Sequence, residues 1–240
     1  MNVLQTPYLP KKRVKLFVGD LNLDNALGID PFDKLNLPPA LLKHADLSFC
    51  YLGSSVAVCA KGSYEYYSKK LKSFPIRLIE GDTAPDLHYP YDCAYNVAIV
   101  GKKMFCKVNI TDKKLLSVAK EMGYDIININ QGYAKCSVCP VDEMSAISAD
   151  KSFRDAAQRK GIDVLMITND TILLPPYKNG FFGGSAFMAD GNTLVVNGSL
   201  STHPDKNRVE AFLQKRNIVI VNAKEGNLFD FGSFIPLMEE

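Results

Sequence analysis

Cys136 and Cys139 form the sharpest chemical pattern in this 240-residue chain. A lone C-x-x-C is either half of a zinc site or a redox pair. A structural zinc site takes four ligands, the chain has no second C-x-x-C, and His44, His88 and His203 stand at no ligand spacing. The expectation is two packed thiols, with no metal and no cofactor. Cys136 keeps a separate interest as a nucleophile, because its segment runs toward the centre of the fold inferred below. Gly183-Gly184 would let a ligand or another strand approach the backbone closely. No helix starts directly after it, as a phosphate loop requires. His203-Pro204-Asp205 has the composition of a helix start, with His203 capping the turn. His88-Tyr89-Pro90-Tyr91-Asp92 is a loop that either lines a pocket or faces solvent. Asp20, Asp82 and Asp230 each flank a strand and are candidates for one shared central site. Tyr64, Tyr66 and Tyr67 with Lys69, Lys70 and Lys72 either stack nucleic acid or form a half-buried helix face with a solvated lysine edge. The second reading is preferred.

The elements that must position these residues repeat. Residues 96–130 align with residues 134–168. Asp112 and Asp150 sit where a helix N-cap accepts from orphan amides. Leu115, Ala119 and Met122 share one helical face, as do Phe153, Ala156 and Ala157. Gly123 and Gly161 stand where a helix ends in a left-handed residue. Ile126–Ile129 and Val164–Ile167 then read as buried strands. Each unit opens with a hairpin: Asn96–Val100 with Met104–Cys106, then Cys136–Val141 with Ser145–Ser148. A third copy pairs Gly183–Ala189 with Thr193–Val196 across the turn Asp190-Gly191-Asn192. Pro204 suits the first turn of its helix, Val209, Phe212 and Leu213 form the apolar stripe, and Ile218–Val221 is the strand. An insertion, Asn169–Phe182, reads as a surface loop or lid. A weaker copy runs from Ser55 to Ile79. Pairing Val14–Val18 with Phe234–Leu237 would complete a fifth, split unit. Repeats of this length make stacked or radial arrays, open arrays need capping repeats, and a split terminal unit points to closure. Residues 20–45 show no period.

Bulk properties narrow the function. Apolar residues make up 47% and charged residues 22%, an ordinary globular balance, and the net charge of +2 argues against a nucleic-acid or membrane-surface partner. No run approaches the roughly 18 apolar residues of a membrane span. Lys11, Lys12 and Arg13 precede only a short apolar run, so no secretory signal is expected. The expectation is one domain over residues 1–240, cytoplasmic, with its six cysteines as thiols. Oligomeric state is not indicated.

A ring of hairpin–helix–strand units resembles the pentein, or guanidine-modifying-enzyme, superfamily. Its members include arginine deiminases, amidinotransferases and dimethylarginine dimethylaminohydrolases. Gly132-Tyr133-Ala134-Lys135-Cys136-Ser137-Val138-Cys139, Gly180-Phe181-Phe182-Gly183-Gly184, His203-Pro204-Asp205 and Phe229–Leu237 are similar to an uncharacterised clostridial family of that fold. The resemblance implies an α/β pentein-like propeller of about five ββαβ units, the last closed by the N- and C-terminal strands. Enzymes of the superfamily use a cysteine near the chain end, a histidine in a middle unit, and carboxylates that grip the guanidinium. Here Gly232 and Ser233 stand at the cysteine's place, and Tyr133 at the histidine's. Asn96 and the Asp92-Cys93 segment stand where two acids are found. The resemblance therefore implies an axial pocket without the usual catalytic pair. Asp92, Asn96, Lys135, Gly183, Gly184 and Asp230 are expected to line it, for a small molecule bearing an amino or guanidino group. If a C–N bond is broken there, by hydrolysis or group transfer, Cys136 is the expected nucleophile. Two rivals stand beside this reading. One is a non-enzymatic interaction protein, as in the pentein-like ribosomal anti-association factor. The other is a metal or redox role through Cys136 and Cys139.

Overall fold

One grammar of hairpin, helix and strand builds four of five small sheets, and the fifth lacks the helix. The computed structural model describes residues 1–240. In the first unit, Phe49–Gly53 pairs antiparallel with Val56–Cys59, which pairs parallel with Arg77–Glu80 after the helix Tyr64–Leu71. The second repeats this with Ala98–Val100, Lys103–Cys106, the helix Lys113–Glu121 and Asp125–Asn128. The third uses Val138–Asp142, Ser145–Ser148, Lys151–Gln158 and Asp163–Met166. The fourth uses Ala186–Asp190, Thr193–Val196, Lys206–Gln214 and Val219–Asn222. The closing unit joins the two ends of the chain: Ile235–Glu239 lies antiparallel to Val14–Val18, and Val14–Val18 parallel to Leu27–Ile29.

Local chemistry starts and stops the helices. The Asp112 side chain accepts from Leu115 N and that of Asp150 from Phe153 N, which satisfies one orphan donor in each first turn. Gly123 and Gly161 take φ of 77° and 76° just past two helix ends, and Asn217 takes 56° at the matching place in the fourth unit. Asp205 departs from the pattern. It caps no amide of its own helix, and its carboxylate accepts instead from Thr168 N.

The strands begin later than their apolar runs suggest. A single helical turn precedes the first strand at Ala45–Ser48, Ala134–Ser137 and Phe182–Ser185. A short apolar run does not distinguish a buried strand from one buried turn. Each turn ends in a serine whose hydroxyl donates to the carbonyl three residues back: Ser48 to Ala45, Ser137 to Ala134, Ser185 to Phe182. That local bond favours the turn.

Apolar packing links the units in a cycle. One cluster joins Leu16 and Ile235 of the closing unit to Phe49 and Val58 of the first and to Ile99 and Leu115 of the second. Another joins Phe105 of the second to Phe153 of the third, and a further one joins Ile147 of the third to Leu194 of the fourth. Phe187 of the fourth stacks on Phe234 of the closing unit with ring centroids 3.9 Å apart. The inserted loop is more tied down than a plain surface loop. Ile172 and Leu174 are buried, and Leu173 bridges Phe229. The segment without a period, 20–45, contributes Leu37 and Leu41, which pack against Leu47 and Leu174. No helix is long and apolar enough to cross a membrane.

Candidate functional site

The helical turns carry polar residues into the centre of the cycle. Lys135 and Cys136 occupy the middle of the third unit's turn, Gly183 and Gly184 that of the fourth, and Asp46 that of the first. The second unit supplies Asp92 and Asn96, and the closing unit Asp230 and Ser233; all of these residues are buried.

Asn96 holds the third unit's turn in place. Its Oδ1 accepts from Lys135 N at 2.7 Å and from Cys136 N at 3.3 Å, while its Nδ2 donates to Cys136 Sγ at 3.3 Å. The Cys136 thiol donates to Asp46 Oδ2 at 2.9 Å, and the Ser233 hydroxyl donates to the same oxygen. Lys135 Nζ donates to Gly183 O at 2.9 Å and to Ser233 Oγ at 3.3 Å, and lies over the Tyr8 ring. One chain of contacts thus runs from Lys135 through Ser233 and Asp46 to Cys136.

Asp92 and Asp230 flank this chain. Asp92 accepts from the Cys93 thiol at 3.0 Å and from the Tyr133 phenol. Asp230 accepts from Gly232 N and Phe181 N, both at 2.9 Å. The paired glycines make room for these contacts. A Cβ on Gly184 would stand 2.0 Å from Asp230 Oδ1, and one on Gly183 would stand 2.3 Å from Val138 O. The close approach read from Gly183-Gly184 is therefore to a strand on one side and to a carboxylate on the other.

A cavity of about 180 Å³ opens beside this centre. His44, Cys136, Asn179 and Asp230 give it polar atoms, and Tyr133, Phe181, Tyr177, Leu41 and Leu174 give it its apolar surface. Four of these residues, Leu174, Tyr177, Asn179 and Phe181, come from the inserted segment or its end, so that loop covers the cavity. Of the residues expected to line the pocket, Cys136 and Asp230 line this cavity, whereas Asp92, Asn96, Lys135, Gly183 and Gly184 do not; Asp92 bonds to Tyr133 of its wall.

Burial sets the protonation states. It pushes the Cys136 thiol well above its ordinary range, and the Asp46 and Asp230 charges push it further. Cys136 is therefore a thiol at neutral pH, not a thiolate. Burial also raises Asp230, partly opposed by His44 and by its two backbone donors. Burial and the bond to Asp92 raise the Tyr133 phenol. Since the thiolate is the reactive form and all six cysteines are free and buried, native protein is expected to react only slowly with iodoacetamide at neutral pH. One thiol alkylating within minutes, mapped to Cys136 by mass spectrometry, would contradict this environment.

Several candidates lie elsewhere. Cys139 points away from Cys136, toward Pro140 O and Ala186 O, and its thiol is pushed up to about 12 by burial. The C-x-x-C residues do not form a pair, because the turn ends and the strand begins between them. Asp20 pairs with Lys43 at the surface, and Asp82 and His88 are exposed. His203 is buried in the fourth unit, where Nδ1 accepts from Asp205 N, so it braces its turn. Tyr67 is buried against Ser48, while Lys69 and Lys70 are exposed, as a half-buried helix face requires. Sequence reasoning missed His44 and Asp46. The Ala45-Asp46-Leu47-Ser48 turn matches Ala134-Lys135-Cys136-Ser137, and that match was the available signal.

A family model described as "Family of unknown function (DUF6873)" matches residues 18–235. No curated protein matches the sequence. Among solved structures, the chain is similar to an agmatine deiminase from C. jejuni, with TM-score 0.56 and 10% identity over 93% of this chain and 91% of that one. It is similar to a dimethylarginine dimethylaminohydrolase variant held as an adduct with S-methyl-L-thiocitrulline, with TM-score 0.55 and 8% identity over 88% and 92%. It is also similar to an amidinotransferase from Microseira wollei in saxitoxin biosynthesis, with TM-score 0.51 and 10% identity over 92% and 91%. At such identities the likeness is one of fold. The chain has the pentein-like α/β fold of these guanidine-modifying enzymes.

Proposed function

We propose that this chain, which belongs to the family of unknown function DUF6873, binds a small molecule carrying an amino or guanidino group in the cavity beside Asp230. The observation that carries the reading is a fully buried carboxylate on the wall of a largely aromatic and aliphatic cavity. A desolvated carboxylate is costly without a positive partner. Burial already holds Asp230 above its ordinary range, and an arriving cation would offset that cost. Tyr133, Tyr177 and Phe181 offer ring faces to the cation or to its apolar body. The similar solved structures include enzymes named for agmatine, dimethylarginine and amidino transfer, and the fold they share is compatible with this ligand class.

Chemistry on a C–N bond is assigned to Cys136, the one thiol on the cavity wall, with Asp46 at 2.9 Å as the group placed to take its proton. In the resting protein that proton stays on sulfur, so binding is the primary role.

Calorimetry against small alkyl and aryl amines and guanidines, beside neutral isosteres such as the matching alcohols, tests the reading. One saturable site for a cation, with the isosteres silent, is expected. If no cation binds, or if alcohols bind equally well, the reading is wrong and the interaction-protein alternative gains.

A further inference from the structure

His44, Asp46 and Cys136 bring an imidazole nitrogen, a carboxylate oxygen and a sulfur within 4.8 Å of one another, and all three residues are buried. We propose that they form a binding site for a zinc-like divalent metal ion, with one coordination position open to the cavity.

The unused bonding capacity of the cluster points to a ligand. Asp46 is 1% exposed. Its Oδ2 takes both the Cys136 thiol and the Ser233 hydroxyl, while its Oδ1 has no hydrogen-bond partner. A buried polar atom left bare in this way calls for an occupant. The His44 ring caps no amide of the turn that it precedes, and it lines the cavity with Cys136. A donor is therefore missing at Asp46 Oδ1, on a carboxylate that clusters with an imidazole and a thiol.

The donor set selects the ion. One sulfur, one nitrogen and one oxygen suit zinc or a similar borderline ion, whereas magnesium and calcium favour all-oxygen shells. Ligand atoms on tetrahedral zinc stand roughly 3.3–3.8 Å apart, given bonds of about 2.0–2.3 Å. The three ligand atoms, all within 4.8 Å of one another, exceed that range by no more than about an ångström. On binding, the Cys136 S–H bond breaks, sulfur keeps the electron pair and donates it to the metal, and the proton leaves to solvent. Ser233, backed by Lys135, stays on Asp46 and orients it, as outer partners of metal ligands do. Three protein ligands and one open position are the arrangement of catalytic rather than structural zinc. A dication with one thiolate and one carboxylate is neutral overall. Asp230 is then still available for a cationic ligand.

The site does not depend on the amine reading, and it is tested without any organic ligand. Chelator-stripped full-length protein is titrated with Zn²⁺ and, separately, with Co²⁺. One equivalent should bind, release about one proton, raise Tm and, with Co²⁺, give a thiolate-to-metal charge-transfer band. Cys136→Ser should abolish the band and weaken binding by more than the roughly 10–100-fold that outer-shell changes cost. Cys139→Ser should retain both. No saturable binding, or a band that survives Cys136→Ser, overturns the proposal. Should Cys136→Ser not fold, the wild-type spectrum and proton count decide: a band with one proton supports the site, and metal uptake without either overturns it.

Discussion

Asp112→Ala is expected to lower stability by about 3–5 kcal/mol, well beyond an ordinary cap loss of about 1 kcal/mol. Asp112 is fully buried and does two jobs. Its Oδ1 caps the helix at Leu115 N, while its Oδ2 accepts from Asp82 N and Thr83 N, both at 2.8 Å, and lies 3.3 Å from the Tyr95 hydroxyl. Removing it strips the cap and frees the segment that leads from the first unit into the second. Asp150 is its repeat equivalent, but it is only partly buried and binds Phe153 N, Ser152 and Gln131. Asp150→Ala should cost about 1–2 kcal/mol. Urea unfolding of both variants decides. Equal costs would show that the carboxylate linking the two units carries no special weight.

Asp230→Asn is expected to weaken binding of a cationic ligand by about 2–5 kcal/mol, the cost of removing one partner from a buried charged pair. An amide also cannot accept at both positions, so it opposes either the Phe181 or the Gly232 amide. Gly184→Ala should act on the same group from the other side, because its Cβ would stand 2.0 Å from Asp230 Oδ1. The pH dependence has a defined sign. A carboxyl raised on folding holds its proton more tightly folded than unfolded. Its contribution therefore stabilises the folded protein at low pH and is lost as pH rises through the raised value. Ligand affinity runs the other way, falling as pH drops through that value, because protonated Asp230 offers a cation no charge. Titration calorimetry of wild type and both variants between pH 4 and 8 measures all three effects. Unchanged affinity in Asp230→Asn would place the ligand elsewhere.

Local signals made the fold legible. The Asp112 and Asp150 caps and the Gly123 and Gly161 stops each depend on a few neighbouring residues, so the sequence displays them directly. The pairing of Val14–Val18 with the chain's last strand followed from counting units. The single helical turns were not legible from hydrophobicity, because four buried residues have no measurable period. The serine that closes each turn was the local mark. The first unit's opening strand, Phe49–Gly53, was hidden by the same ambiguity.

At the centre, Lys135, Cys136, Gly183 and Gly184 fall together because equivalent turns of different units converge there, and Asn96 and Asp230 accept hydrogen bonds from those turns' backbones. Asp92 sits one residue outward, behind Tyr133. His44 and Asp46 were missed because they follow a stretch with no repeat, and ligand spacing along the chain cannot reveal partners that meet only across units. The C-x-x-C pattern carries no joint chemistry for the opposite reason. Its two thiols are close in sequence, but a turn and a strand aim them into different surroundings.

A crystal structure with a bound amine or guanidine, chosen as the tightest from calorimetry, decides whether Asp230 receives the cation. The cationic nitrogen is expected within hydrogen-bonding distance of an Asp230 carboxylate oxygen, with the rest of the molecule against Tyr133, Tyr177 and Phe181. A ligand seated outside this cavity, or one whose charged nitrogen turns away from Asp230, would contradict it.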